Sequence, residues 1–186
     1  MGELFYLEDK KMSKSNIAKK NISEALMSLL QTKPLKDITI QDLADKSGYT
    51  RVTYYRHFTS LYEVIEYYLD CYADDYLAQN PMDFDSLPPR VFYTRFFEHF
   101  LEPKAKEIVN ILKKQNLLNL LKKNFDKYML IGGKTGYGYL FFSGGLFNVY
   151  ISWVNKGYPE SPAELADYFI HFFSMLNDNE VNPSLF

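Results

Sequence analysis

The stretch ITIQDLADKSGYTRVTYYRHFTSLYEV, from Ile38 to Val64, predicts two short helices joined by a tight turn. Thr39 stands at an N-cap position, just ahead of apolar residues at helical spacing. Gly48 can take the left-handed conformation that ends the first helix, and Thr50 caps the second. Phe58 is expected to close the unit against its core. This arrangement is the signature of a helix-turn-helix.

In such a unit the second helix enters the major groove of DNA and its first residues face the base edges. The positions predicted at the exposed starts of the two helices are Gln41, Arg51, Val52 and Thr53. Arg51 is the first choice for base readout, because a guanidinium can grip guanine O6 and N7 together. Thr39 and Thr50 are caps that could also present a hydroxyl to phosphate. The alternative for Arg51 and Arg56 is an ordinary solvated side chain.

The segment from Gly48 to Phe58, GYTRVTYYRHF, resembles the turn and recognition helix of the tetracycline-repressor (TetR) family of transcription regulators. The positions that match the family pattern in register are Gly48, Thr50, Thr53, Tyr55, His57 and Phe58. The resemblance covers residues 13 to about 70 and implies that Tyr55 and His57 contact phosphate. The family usually carries a phosphate-binding Lys three residues after the Phe. Leu61 stands there in this chain, so that one contact is in doubt.

Charge is divided unevenly along the chain. Residues 10 to 60 hold ten Lys and Arg against four Asp and Glu, whereas the remainder holds eleven against nineteen. A basic segment that coincides with the helix-turn-helix is expected to attract phosphate. Lys14, Lys19 and Lys20 fall near the start of the first predicted helix and could touch the DNA backbone; Arg56 lies within reach of it too.

The composition is that of a globular protein with a bulky aromatic core. The chain has 186 residues, 47% of them hydrophobic, with 16 Tyr and 15 Phe. A single cysteine excludes a disulfide framework and a cysteine-based zinc site. No apolar run approaches the roughly 18 residues that a membrane span needs. We therefore expect a cytoplasmic protein that makes no membrane contact.

We predict an all-α protein of about nine helices. Residues 1–12 are expected to be a tail, with a DNA-contacting arm as the alternative, residues 13–59 to form the helix-turn-helix domain, and residues 60–186 to form an effector-binding and dimerisation domain. Ser13 is expected to cap the first helix, and the two short helices follow that helix. The next helix is expected at 60–77, and another begins at 90. The last four are expected at 104–114, 115–130, 139–156 and 161–176.

The glycine-rich segment IGGKTGYG, at residues 131–138, contains a Gly-Lys-Thr that invites a nucleotide-binding interpretation. A phosphate-binding loop needs a further glycine where Tyr128 stands, and a preceding strand rather than a helix. The segment is therefore predicted to be a connector between helices.

Two consecutive helices at the C-terminal end are too apolar to face water and predict a symmetric interface. The segment FFSGGLFNVYISWVNKGYPESPAELADYF, from Phe141 to Phe169, resembles the C-terminal domain of a TetR subgroup common in Firmicutes. That resemblance implies a dimerising four-helix bundle. The glycine pair Gly144-Gly145 predicts close approach of another helix. The expected interface residues are Phe142, Leu146, Tyr150, Trp153, Phe169, Phe172 and Phe173.

Aromatic residues of the middle helices could line a pocket for a small apolar or aromatic effector, as the family resemblance implies. The alternative is plain core packing, which aromatic stripes at helical spacing usually represent. The candidate pocket residues are Tyr68, Phe96, Phe100, Phe125 and Tyr128.

Nothing in the sequence predicts catalysis, a cofactor or a metal site. The three histidines are scattered, and Cys71 is interpreted as a half-buried thiol. Glu98, His99 and Glu102 could share a helix face as a metal cluster, but a solvated face is the preferred interpretation.

The expected function is that of a homodimeric transcription regulator, a repressor that binds a near-palindromic operator and is released by a small molecule. The alternative is a TetR-like module whose body binds a partner protein in place of the small molecule.

Overall fold

The computed structural model describes residues 13–80, 87–129 and 136–178, with side chains to residue 174. The described residues form nine α-helices, one short 3-10 helix at Leu35–Asp37 and no strands, which confirms the all-α prediction. The α-helices are α1 Lys14–Leu30, α2 Ile40–Ser47, α3 Arg51–His57, α4 Leu61–Gln79, α5 Pro89–Leu101, α6 Pro103–Lys114, α7 Leu118–Met129, α8 Tyr137–Asn155 and α9 Pro162–Asp178.

The chain divides into two compact units, one ending at Cys71 and the other beginning at Tyr72. The boundary therefore falls inside α4 rather than before it at residue 60. Val64, Ile65 and Leu69 of α4 are buried, which places the first half of this helix in the core around the helix-turn-helix.

The first unit is built by α1 bracing the pair α2 and α3. Ser13 caps α1 as predicted, because its hydroxyl accepts the Asn16 N–H at 3.2 Å. Ile22, Leu26 and Leu30 are buried on one side of α1. Ile17 is 40% exposed, because it lies in the first turn of α1, before the buried stretch begins.

The second unit is a helical body with an aromatic core. Trp153 and Tyr150 of α8 and Phe97 of α5 are among its most deeply buried side chains. Trp153 packs edge-on against Phe97 with ring centroids 5.5 Å apart. At the surface, Arg90 of α5 makes a two-pronged ion pair with Asp167 of α9, at 2.6 and 3.1 Å.

Two helices of this unit end in left-handed turns. Asn116 follows α6 with φ 58°, and the Leu117 N–H returns to the Leu112 carbonyl at 2.8 Å. This turn delays α7, which begins at Leu118 rather than at Gln115 as predicted. Gly157 ends α8 in the same manner, as expected, with φ 80°.

Several predictions lie outside the described residues, among them the tail at 1–12 and most of the glycine-rich connector. The described part of that connector shows that α8 begins at Tyr137, two residues before the expected position. No helix in the described ranges is long and apolar enough to cross a membrane.

Candidate nucleic-acid interface

The helix α2 is fixed at its start by a reciprocal cap. The Thr39 hydroxyl accepts the Asp42 N–H at 3.0 Å, and the Asp42 carboxylate accepts the Thr39 N–H at 2.7 Å. Lys33 reaches the same carboxylate at 2.7 Å. These hydrogen bonds, led by the one from Lys33, lower the pKa of Asp42 from 3.8 to about 2. Asp42 therefore ties the loop before α2 to the first turn of that helix.

The turn between α2 and α3 has the geometry that its sequence predicts. Gly48 takes φ 75°, and its N–H bonds the Ala44 carbonyl at 3.0 Å. Thr50 caps α3 by accepting the Thr53 N–H at 3.2 Å. An open cleft of about 490 Å³ lies along this turn, lined by Gln41, Ala44, Asp45, Gly48, Tyr49, Thr50 and Arg51.

The helix α3 has one buried and one exposed side. Tyr54 is buried, and its ring lies 6.1 Å from that of Phe58, which is buried as predicted. The opposite side, which we call the outer face of α3, consists of Arg51, Val52, Tyr55 and Arg56, all exposed. Val52 is 69% exposed and Tyr55 is 65% exposed. A core on one side thus holds a row of accessible side chains on the other.

The cations of the outer face are available for an anionic partner. No carboxylate within the described ranges pairs with Arg51 or Arg56.

Lys19 of α1 is half-buried, and its ammonium lies 5.3 Å from the ring centroid of Tyr67. Tyr67 packs in turn against Phe58, with ring centroids 5.8 Å apart. The position of Lys19 is thus set by aromatic packing.

Other predicted contact residues are more restricted. The Thr39 hydroxyl donates to the Asp42 carboxylate at 2.8 Å, so its hydrogen is committed to the cap. Gln41 is exposed, but its amide donates to Asp45 at 2.7 Å. Thr53 and His57 are half-buried at the edges of the outer face. The exposed side chains thus cluster on α3, with Thr50 and Gln41 beside them.

Sequence reasoning did not single out Asp45 or Tyr49, both of which line the cleft. Asp45 fixes Gln41 across one helical turn, and the i, i+4 spacing of the two could have indicated this. Tyr49 accepts a hydrogen bond from Asn21 of α1 at 3.4 Å. This contact joins α1 to the turn and leaves no signal in the local sequence pattern.

The candidate pocket residues fall in both units. Tyr68 belongs to the first unit, whereas the other four belong to the second. Phe96 packs edge-on against both Phe100 and Phe125, with ring centroids 4.9 and 5.7 Å away. Tyr128 donates its hydroxyl to Asp74 at 2.6 Å. These side chains are thus packed against one another or hydrogen-bonded within the unit.

The predicted interface residues divide into two groups. Leu146, Tyr150 and Trp153 are buried in the core of the second unit. Assigning these three to an interface was wrong, because an apolar stripe does not reveal whether its own chain covers it. Phe142, Phe169 and Phe173 are half-buried against Tyr93, whereas Phe172 is 50% exposed.

Other apolar side chains of α8 and α9 reach the surface. On α8, Tyr137 and Phe141 are one helical turn apart, and Phe141 is 69% exposed. On α9, Tyr168 and Phe172 have the same spacing and are also exposed. A Cβ built on Gly144 or Gly145 would meet no atom within 4 Å, so no helix of the described chain makes the close approach that the glycine pair predicted.

The described residues contain no group of three or more His, Cys, Asp or Glu side chains placed to hold a metal ion. Cys71 is a half-buried thiol, as expected. Burial, together with a hydrogen bond to Cys71, raises the pKa of Tyr67 to about 12.

Comparison with known proteins adds no family assignment: no family model matches the chain, and no curated protein matches it in sequence.

Proposed function

We propose that this chain is a sequence-specific DNA-binding transcription regulator of the TetR type, acting as a homodimeric repressor. The observation that carries the proposal is the outer face of α3. Two guanidiniums that pair with no carboxylate among the described residues project there from a capped helix whose other side is anchored in a core. A rigid element that presents cations and short side chains is what insertion into a major groove requires.

A dimer is supported by the exposed aromatics of α8 and α9, namely Tyr137, Phe141, Tyr168 and Phe172. Such side chains are common at protein interfaces, where a large apolar area is removed from water. Two copies joined there would carry two recognition helices to successive major grooves of a near-palindromic operator. A small-molecule effector would release the protein by binding better to a conformation in which these helices are wrongly spaced.

The roles of individual cations give a direct test. We expect Arg51→Ala to weaken binding to the specific site by about 1–3 kcal/mol while affecting random DNA less, because it removes a contact to a base edge. Lys19→Ala is expected to weaken binding to both DNAs alike and to reduce the salt dependence, because it removes a phosphate contact. Fluorescence anisotropy on the two duplexes, across a salt series, measures both effects.

Matched controls lie in the second unit. Arg95→Ala and Lys113→Ala remove exposed cations of the same types from α5 and α6, and neither is expected to change DNA affinity. If Arg51→Ala lowered the affinity for specific and random DNA equally, the assignment of Arg51 to base readout would be wrong. If all four variants bound like the unaltered chain, the outer face of α3 would not be the DNA-binding surface.

The exposed aromatics also suit a second candidate, a module that binds a partner protein. The two functions differ in one measurable respect: the regulator prefers one DNA sequence and shows a steep salt dependence, whereas the protein-binding module does not. The same anisotropy series separates them.

A further inference from the structure

Val52 lies on the side of α3 that points away from the core. It precedes the buried Tyr54 by two positions, and at about 100° of rotation per residue the two side chains point in nearly opposite directions. Arg56 lies one turn further along the same side, and Arg51 is the adjacent residue. Val52 thus occupies the centre of the outer face of α3, between two guanidiniums.

An aliphatic side chain at this place does not serve the fold. Val52 is 69% exposed, and the capping of α3 is carried by Thr50. Valine can neither bind phosphate nor donate a hydrogen bond to a base. The one apolar group that DNA presents in the major groove is the C5-methyl of thymine. If α3 enters that groove, Val52 is chemically matched to this methyl group.

We propose that Val52 is a specificity-determining residue that selects a thymine in each half-site through contact with its C5-methyl group. This inference rests on the proposed DNA-binding function and adds to it the kind of base read at the centre of the helix. The half-site would then hold an A·T pair read by Val52 near a G·C pair gripped by Arg51.

Uracil substitution tests this contact, because uracil lacks only the C5-methyl of thymine. The full chain is first used to select its preferred site from a pool of randomised duplex DNA. Each thymine of the selected site is then replaced singly by uracil, and the affinity is measured by fluorescence anisotropy. At one thymine per half-site we expect the replacement to weaken binding about three- to fivefold, the effect of one methyl group removed from water.

The same series is run with two variants. Val52→Ala shortens the side chain so that it no longer reaches the methyl group, and we expect the uracil penalty at that thymine to fall below about twofold. Val91→Ala, which alters an exposed valine on α5, is the matched control and is expected to keep the full penalty. The thermal unfolding temperature should not fall in Val52→Ala, because the residue is 69% exposed and alanine favours helix.

The experiment distinguishes a failure of the Val52 contact from a failure of the proposed DNA-binding function. If no thymine were sensitive to uracil, or if Val52→Ala kept the same penalty as the unaltered chain, the role of Val52 would be overturned while the DNA-binding function stood. If the randomised pool yielded no preferred site, the proposed function would fail, and the role of Val52 with it.

Discussion

The imidazole of His99 is buried against α4, where the ring centroids of Tyr76 and Tyr72 lie 3.6 and 5.5 Å from its own. Its Nδ1 atom is buried, and the nearest carboxylate oxygen, on Glu102, is 3.7 Å away, too far for a hydrogen bond. Burial outweighs the attraction of this half-exposed carboxylate and lowers the pKa of His99 from 6.5 to about 4. The folded protein therefore holds His99 neutral.

Acid should destabilise the second unit through this residue. Above pH 6.5, His99 is neutral in both the folded and the unfolded chain, so its contribution to stability is complete. Between pH 6.5 and 4 only the unfolded chain takes up the proton, and by pH 5 the loss should reach about 2 kcal/mol. Urea unfolding at pH 7.5 and pH 5 measures this loss.

A variant pair isolates the contribution of His99. His99→Gln should remove most of the acid-dependent loss, whereas His171→Gln, at an exposed position on α9, should leave the loss unchanged. An equal loss in all three proteins would show that other groups cause the acid sensitivity.

Among the helices, α2 offers the clearest test of local sequence determinants. Thr39→Ala removes the hydroxyl of the reciprocal cap and should cost about 1 kcal/mol of unfolding free energy in the first unit. Thr39→Ser should restore it. Thr94→Ala is the matched control, because its hydroxyl only bonds the Arg90 carbonyl within α5. Urea unfolding monitored by circular dichroism compares the three; no loss in Thr39→Ala would contradict the cap.

The same cap also makes stability depend on pH. Folding lowers the pKa of its carboxyl group and thereby favours the charged form, whereas folding holds His99 in its neutral form. The pKa of Asp42 is lowered on folding from 3.8 to about 2, so its contribution is present above pH 3.8 and is lost as the pH falls through 2. Asp42→Asn should abolish that part of the acid dependence.

A substitution in the glycine pair of α8 distinguishes an effect on helix stability from an effect on self-association. Gly145→Ala should raise the free energy of unfolding by about 1 kcal/mol, because alanine favours helix and the added Cβ meets open space. If a second copy approaches there, the same change should weaken the dimer about tenfold through overpacking. Urea unfolding and sedimentation equilibrium measure the two effects.

Asn110→Ala is the control for this change, since it improves helix propensity at an exposed position of α6, away from α8. It should stabilise the fold and leave the dimer unchanged. A stabilised Gly145→Ala protein with an unaltered dimer would exclude close approach at α8.

The features that could be predicted from the sequence are those that depend on interactions between residues close together in the chain. The caps at Ser13, Thr39 and Thr50 and the left-handed turn at Gly48 depend on neighbouring residues, and all four are confirmed. The burial of Phe58 was also predicted correctly, because it directly follows a short helix that has few ways to face its core.

The errors concern contacts between residues distant in sequence. The burial of Trp153 depends on Phe97 and Tyr158, from α5 and from the turn after α8, and no local pattern reveals those contacts. Likewise, the contact between Asn21 and Tyr49 joins residues 28 positions apart. The outer face of α3 was predictable for the opposite reason, since its exposure follows from the helical period alone.

At the scale of the whole molecule, charge is divided unevenly along the chain. The net charge of -2 conceals a basic segment at residues 10–60 and an acidic remainder. In the proposed dimer, the two basic segments would face the DNA, which favours one orientation on approach.

The measurement that tests the central claim most directly is the ratio of two affinities. The full chain is titrated against DNA from upstream of its own gene and against a random duplex of equal length, across a salt series. We predict a preference of about a thousandfold or more for one site, with two chains per duplex and a steep salt slope. Equal, weak binding to both duplexes would contradict the proposed regulator and would favour the protein-binding alternative.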